Sequence, residues 1–251
     1  MSTELSVPDA GFAFRHAELA RGYGGAGDPA DPDQVQAMPM VLHLPKAEPP
    51  PRSALLAAAA TAVVALCMDP RVGPEGPWEQ RYLDWKRSRI RKVARRARGA
   101  HWAAANEVDG VTVEIDGAQA RALVPSAVSA VDPRIKRLQI GGTDLEHDEP
   151  GPADPELPVL WVNSALEMTL GKAAAQVGHG SMLLAGALSV ARLRRWARSD
   201  YRCSVREADA ARWRELSDQV AAGTAVAVRD AGFTEVAPGS LTVIAVPAET
   251  W

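Results

Sequence analysis

The segment Gly171-Lys172-Ala173-Ala174-Ala175-Gln176-Val177-Gly178-His179-Gly180 places a lysine, a glutamine and a histidine at i, i+4 and i+7. At about 100° per residue these three fall within roughly a 60° arc of one helix face. The intervening positions are Ala, Val and Gly. A polar triplet on such a helix needs partners for every polar group that is buried. Lys172 falls in the first turn, where backbone N–H groups are unpaired and the dipole favours anions. That suits a phosphate or a carbonyl oxygen. The segment is not a Walker loop, because the earlier glycine of that motif would be Leu166. A solvent-exposed helix start with incidental polar residues fits the same letters. A second segment runs from Arg229 through Asp230-Ala231-Gly232 to Pro238-Gly239-Ser240-Leu241-Thr242. An aspartate at a strand end is placed to hold a water or orient a neighbouring base. Gly232 and Pro238-Gly239 supply turn geometry, so a plain hairpin with an Asx turn also fits.

Strands and helices must bring these two segments together. Val159-Leu160-Trp161-Val162 reads as a strand, and 171–197 as two helices or one broken one. Cys203-Ser204-Val205 reads as a strand. A helix over 209–221 has Trp213, Leu216 and Val220 on its apolar side, and strands follow at 225–228 and 241–246. Trp161, Trp196 and Trp213 read as core. Strands alternating with helices predict an α/β domain.

The chain before this domain reads as an earlier, weaker version of it. Residues 1–37, rich in Gly, Pro and Asp, are expected to be a flexible extension. A strand at 40–44, a helix at 53–68, a second helix at 78–97, a strand at 111–115, a helix at 118–130 and a strand at 135–140 follow. Residues 147–157 hold prolines and acids and read as a linker. Sliding the chain on itself lays Pro39 on Pro158, Glu48 on Glu167, Val111-Thr112-Val113 on Cys203-Ser204-Val205, and Gly142 on Gly232. The division expected is 1–37, 38–146, 147–157 and 158–251. On this alignment Ser53, Ala60 and Ile140 stand where the second copy has Lys172, His179 and Asp230. The earlier copy has then lost the site, and it has no clear counterpart of the last strand.

Bulk properties bound the partners. The 251 residues are 47% hydrophobic and carry a net charge of −3, with an isoelectric point near 6.0. A nucleic-acid partner would therefore need a local basic patch. The run from Lys86 to Arg98 is the candidate, read as a helix in which Arg91 and Arg95 contact phosphates. A solvated surface helix fits that run equally. Cys67 and Cys203 lie far apart in apolar surroundings, as buried thiols of a reducing compartment would. No secretory leader is recognisable, and the longest apolar run, 54–68, is short of the roughly 20 residues a membrane span wants. A soluble, cytoplasmic protein is expected, with no membrane partner.

Taken in this order and at this separation, the two segments resemble the type II peptidyl-tRNA hydrolases. That family shows Gly-Lys-x-Ala-Ala-Gln-x-x-His-Ala and, later, Asp-Ala-Gly-x-Thr-x-x-x-x-Gly-Ser-x-Thr. Gly171, Lys172, Ala174, Ala175, Gln176 and His179 match the first. Asp230, Ala231, Gly232, Thr234, Gly239, Ser240 and Thr242 match the second. Departures are Glu167 where a base is common, Phe233 after Asp-Ala-Gly, and Gly180 after the histidine. The resemblance covers about residues 158–247. It implies a three-layer α/β/α fold with a small mixed four-stranded sheet, here in two tandem copies. It also implies cleavage of the ester joining a peptide to tRNA, without metal or other cofactor. Lys172, Asp230, Thr234, Gln176 and His179 would be the catalytic set, His179 as an orienting group or a structural histidine. Gly171, Gly232, Gly239, Ser240 and Thr242 would shape the substrate site. The family's homodimers imply either a homodimer here or a monomer acting as a covalent pseudo-dimer. A protein that binds RNA or acts as a scaffold without catalysis is the alternative.

Overall fold

A computed structural model describes residues 7–22, 27–142, 144–232 and 235–251. Two helices lie at its centre. Arg52–Cys67 (α2) is apolar on every side, and nearly all its residues are buried. A helix of that composition must be covered all round. Leu170–Ala187 (α6) is its partner, with small residues that let the two helices approach closely. Ser181 Oγ on α6 donates to the Ala60 carbonyl of α2 at 2.8 Å.

A sheet flanks each side of this pair. The first comprises Gln36–His43 (β1), Arg91–Ala97 (β2), Gly110–Ile115 (β3) and Ala118–Leu123 (β4), in the order β2-β1-β4-β3, with Ser126–Ala127 (β5) paired to β1. The second comprises Val159–Asn163 (β6), Ser204–Ala208 (β7), Val226–Arg229 (β8) and Leu241–Val246 (β9), in the order β7-β6-β9-β8. In both, the first two strands are parallel and the remaining pairs antiparallel. Met38, Met40 and Leu42 from one sheet and Leu160 and Val162 from the other enter one continuous core around α2 and α6. The outer faces are closed by Ala100–Asn106 (α4) and Pro133–Lys136 (α5) on the first sheet, and by Ala210–Ala221 (α8) on the second. Each sheet thus has helices on both faces, as expected, and the two units repeat one topology.

The structure corrects several sequence readings. Val7–Ala20 (α1) is a helix packed on α6, not a flexible extension. Leu19 is buried, and the His16 Nε2 atom lies 2.8 Å from the Leu188 carbonyl. The helix expected over 78–97 ends early, as Glu79–Lys86 (α3), and the arginine run is strand β2. The helix expected over 118–130 is strand β4 and the short β5, and the stretch expected as a strand over 135–140 begins as the end of α5 and then runs as a turn in which Gln139 makes one isolated bridge to Arg96. β4 is therefore the counterpart of the last strand, β9. The linker carries no helix or strand but is tied down. Asp148 accepts from the backbone N and the Oγ of Ser53 in the first turn of α2.

The repeat register changes accordingly. Met40 pairs with Ala94 and Ala122, and Leu160 pairs with Val205 and Ala245. Met40 thus corresponds to Leu160, one residue off the alignment that laid Pro39 on Pro158. A one-residue slip would put each side chain on the wrong face. β2 corresponds to β7, and Val111–Val113 to β8. Helix starts at Arg52 and Leu170 then set Ala54, Ala58 and Thr61 where α6 has Lys172, Gln176 and His179. Ile115 stands at the end of β3 as Asp230 does at the end of β8.

Candidate active site

Thr169 starts α6 by accepting from the Lys172 backbone N–H at 3.2 Å. Its own backbone N–H and hydroxyl donate to the Glu235 carboxylate, both at 2.9 Å. This capping fixes the first turn, and with it the direction of the 172–176–179 face. Lys172 and Gln176 meet Asp230 just beyond β8. Lys172 Nζ and Gln176 Nε2 donate to the same oxygen, Oδ2, at 2.6 and 2.8 Å. The other oxygen, Oδ1, accepts from Gly232 N at 2.7 Å, an Asx turn. The loop is closed behind by Asp230 N–H donating to Ser240 O, and Gly239 N–H to Asp230 O. The Lys172 and Asp230 side chains are each 9% exposed. A charge pair so desolvated, with further donors on the carboxylate, is held far more firmly than a surface ion pair.

Thr242 stands behind this pair, on β9 and fully buried. Its hydroxyl donates to Gln176 Oε1 at 2.5 Å, which orients the amide so that its NH₂ faces Asp230. Gly232, at φ +77°, lies against Pro238, where an added Cβ would meet ring atoms within 2.4–2.7 Å. Gly239, at φ +81°, also needs the left-handed region. Gly171 lies in the first turn of α6, facing Ala94 and the Ile140 carbonyl across a gap. Thr234 lies outside the described residues, as does Phe233.

Lys172, Gln176, His179, Asp230 and Gly171 all line one cleft of about 700 Å³. Its other wall comes from the first unit and consists of residues 89–94 with Ile140 and Gly141. Ile140 is apolar and 57% exposed there. Arg91 lines this wall and forms a two-pronged ion pair with Asp28 at 2.5 and 2.8 Å, with Arg89 3.7 Å from the same carboxylate. Arg95 does not reach the cleft. Its guanidinium donates to the carbonyls of Lys136 and Leu138, which anchors α5 and the loop after it.

Lys92, on β2, is the residue that sequence reading passed over. Its Nζ lies 2.9 Å from Nδ1 of His179. Burial pulls the Lys92 ammonium down to about 7, opposed by Cys67 and assisted by the neighbouring charge of Lys86. Burial, followed by the charges of Lys92 and Lys172, pushes His179 well below its ordinary value, so its imidazole stays neutral. Lys92 had been one basic residue in a run of eight, and its type and spacing did not set it apart.

The pairing of Lys172 and Gln176 with an aspartate 58 residues downstream of the lysine unites both sequence segments in one site. Residues 158–250 match the family model Peptidyl-tRNA hydrolase PTH2. The resemblance drawn from the two motifs is thereby borne out for the C-terminal part of the chain. None of the curated proteins matches the chain. All the motif residues placed above lie inside the matched residues 158–250, while the cleft lined by Gly171, Lys172, Gln176, His179 and Asp230 is shared with the unit that precedes them. No helix of the described residues is long and apolar enough to cross a membrane. Cys67 and Cys203 are buried free thiols, which burial pushes up to about 11 and about 12.

Proposed function

We propose that the PTH2 domain hydrolyses the ester joining a peptide, or an N-blocked aminoacyl group, to the terminal ribose of tRNA. The observation that carries this reading is the Lys172–Asp230–Gln176 constellation at the cleft. Water adds through its oxygen to the ester carbonyl. The ester C–O bond breaks, the ribose oxygen leaves as a hydroxyl after taking a proton, and the acyl group leaves as a carboxylate. Negative charge grows on the carbonyl oxygen in the transition state. An ammonium at the N-terminal turn of α6 is suited to offset it, and Lys172 has that position. Asp230 holds that ammonium in place and offers an acceptor for the attacking water. Gln176, fixed by Thr242, holds the carboxylate from the other side.

The first unit supplies the opposite wall. Ile90, Val93, Ala94 and Ile140 form an apolar surface suited to an acyl side chain or a base, and Arg89 and Arg91 are cations suited to phosphates. In the first unit the corresponding positions hold Ala54, Ala58, Thr61 and Ile115. We read that unit as a degenerate copy, residues 38–146, which serves the PTH2 domain as a built-in partner in a covalent pseudo-dimer.

The test is release of labelled N-acetyl-aminoacyl groups from tRNA by the purified full chain. Lys172→Ala and Asp230→Ala should each lower kcat by about 10²–10³-fold, the usual cost of removing a group that stabilises transition-state charge. Both should keep a cooperative melting transition. Salt-dependent tRNA binding without cleavage would move the protein to the RNA-binding class. Full activity in either variant would remove these roles.

A further inference from the structure

Lys92 reaches His179 by an unusual route. Its stem crosses α6 at Gly178, where an added Cβ would come within 3.3 Å of Lys92 Cδ and Cε and 3.0 Å of Val63. Its ammonium then lies 5.2 Å from the centre of the Trp85 ring and 2.9 Å from the imidazole. Lys92 is half-buried, and an ammonium so drawn out of water destabilises a fold unless it is well compensated.

The repeated topology shows what packing alone requires at this place. β2 corresponds to β7 and α2 to α6, so Lys92 corresponds to Cys203 and His179 to Thr61. That second pair also meets: Thr61 Oγ1 and Cys203 Sγ lie 3.6 Å apart, both buried. A small neutral pair therefore closes the same junction where no cleft chemistry is present. The costly cationic pair stands on the side that has Lys172 and Asp230.

From this geometry we infer that Lys92, a residue of the first unit, is a positioning residue of the PTH2 domain's site. It donates to Nδ1 of His179 and so fixes the imidazole as the tautomer protonated at Nε2. The site is then incomplete without the preceding unit. This inference rests on the proposed hydrolase activity for its kinetic readout only.

The experiment uses the full chain with Lys92→Met, which preserves length and removes the charge, and Lys92→Leu as a second variant. Imidazole ¹⁵N shifts should show Nδ1 of His179 as an acceptor in the parent and a changed tautomer balance in both variants. Peptidyl-tRNA cleavage should fall about 10–100-fold in kcat, the range seen when an orienting partner is lost, with KM within about twofold. Below pH 7, where Lys92 is an ammonium, melting temperature should rise, since a poorly solvated cation has been removed. The double variant Thr61→Val, Cys203→Ala should leave kcat within about twofold of the parent. Unchanged ¹⁵N shifts, unchanged kcat, or a lower melting temperature below pH 7 in both Lys92 variants would overturn the inference. If the parent chain cleaves no peptidyl-tRNA, the functional reading falls, and the ¹⁵N shifts with the melting data still decide the role of Lys92.

Discussion

Asp230 gathers a lysine, a glutamine and a backbone N–H on its two oxygens, so its orientation depends on groups from two chain segments, α6 and the loop after β8. The part of this arrangement furthest from the cleft is the Thr242 hydroxyl. Thr242→Val would keep the volume and remove the donor to Gln176 Oε1. The amide would then be free to turn, and a buried acceptor would lose its partner, at a cost of about 1–2 kcal/mol. The expected result is a fall of that size in urea unfolding together with a loss of about tenfold in kcat. A stability loss with full activity would restrict Thr242 to a structural role. Sequence reading placed Thr242 with the groups that shape the substrate site. The structure puts it behind Gln176 at zero exposure, a distinction that a motif of letters does not contain. Lys172, Gln176 and Asp230 were legible because helical spacing and strand ends are local properties. Lys92 was not, because its role comes from a strand of the other unit crossing α6.

The turn that delivers Lys92 shows why element boundaries were missed. Trp85-Lys86-Arg87-Ser88-Arg89-Ile90-Arg91 and Trp196-Ala197-Arg198-Ser199-Asp200-Tyr201-Arg202 share four letters at a constant separation. They also share a structure. Each indole N–H donates to the carbonyl six residues on, and each serine hydroxyl to the carbonyl of its tryptophan. Ile90 and Tyr201 both take positive φ, +35° and +57°. The helix must stop there and a parallel strand begin. Good helix formers in the arginine run hid that stop, and pairing with β1 overrode their propensity. The C-terminal elements were easier to read, because Asp209 caps α8 and Ser189 caps Val190–Ala197 (α7) in standard positions. At this scale the loop after β8 is the sensitive one. Gly232→Ala would add a Cβ against Pro238 and force an L-residue to φ +77°, roughly 1–3 kcal/mol of local strain. The expected outcome is a loss of at least about tenfold in kcat with a smaller relative change in melting temperature. An equal kcat would show that the loop absorbs the shift without moving Asp230.

Across the whole molecule, buried ionisable groups set how stability varies with pH. Lys92 faces Cys67 from α2, Trp85 and Lys86 from α3, and His179 from α6, and it titrates near 7 when folded against an ordinary value of 10.5. The unfolded chain then binds more protons above pH 7, so stability rises with pH there, by about 2 kcal/mol between pH 7 and 9. His179, lowered for the same reason, adds a rise at more acidic pH. Cys67, Cys203 and Tyr201 are raised to about 11, 12 and 12, so above pH 9 the unfolded chain loses protons first and stability falls. Urea unfolding should therefore be hardest near pH 9, and Lys92→Met should flatten the rise from 7 to 9. A parent curve flat over that interval would contradict the desolvated ammonium. The shared core has a further consequence, for the way the chain is made. α2 needs β7 as well as β3 and β4, and α6 needs β8, β9 and β2. During synthesis the apolar α2 emerges long before β9, the last strand of the second sheet. At about 5–20 residues per second that interval is on the order of ten seconds. Through it the nascent chain exposes a helix with no polar face, which is the kind of segment that ribosome-associated chaperones shield.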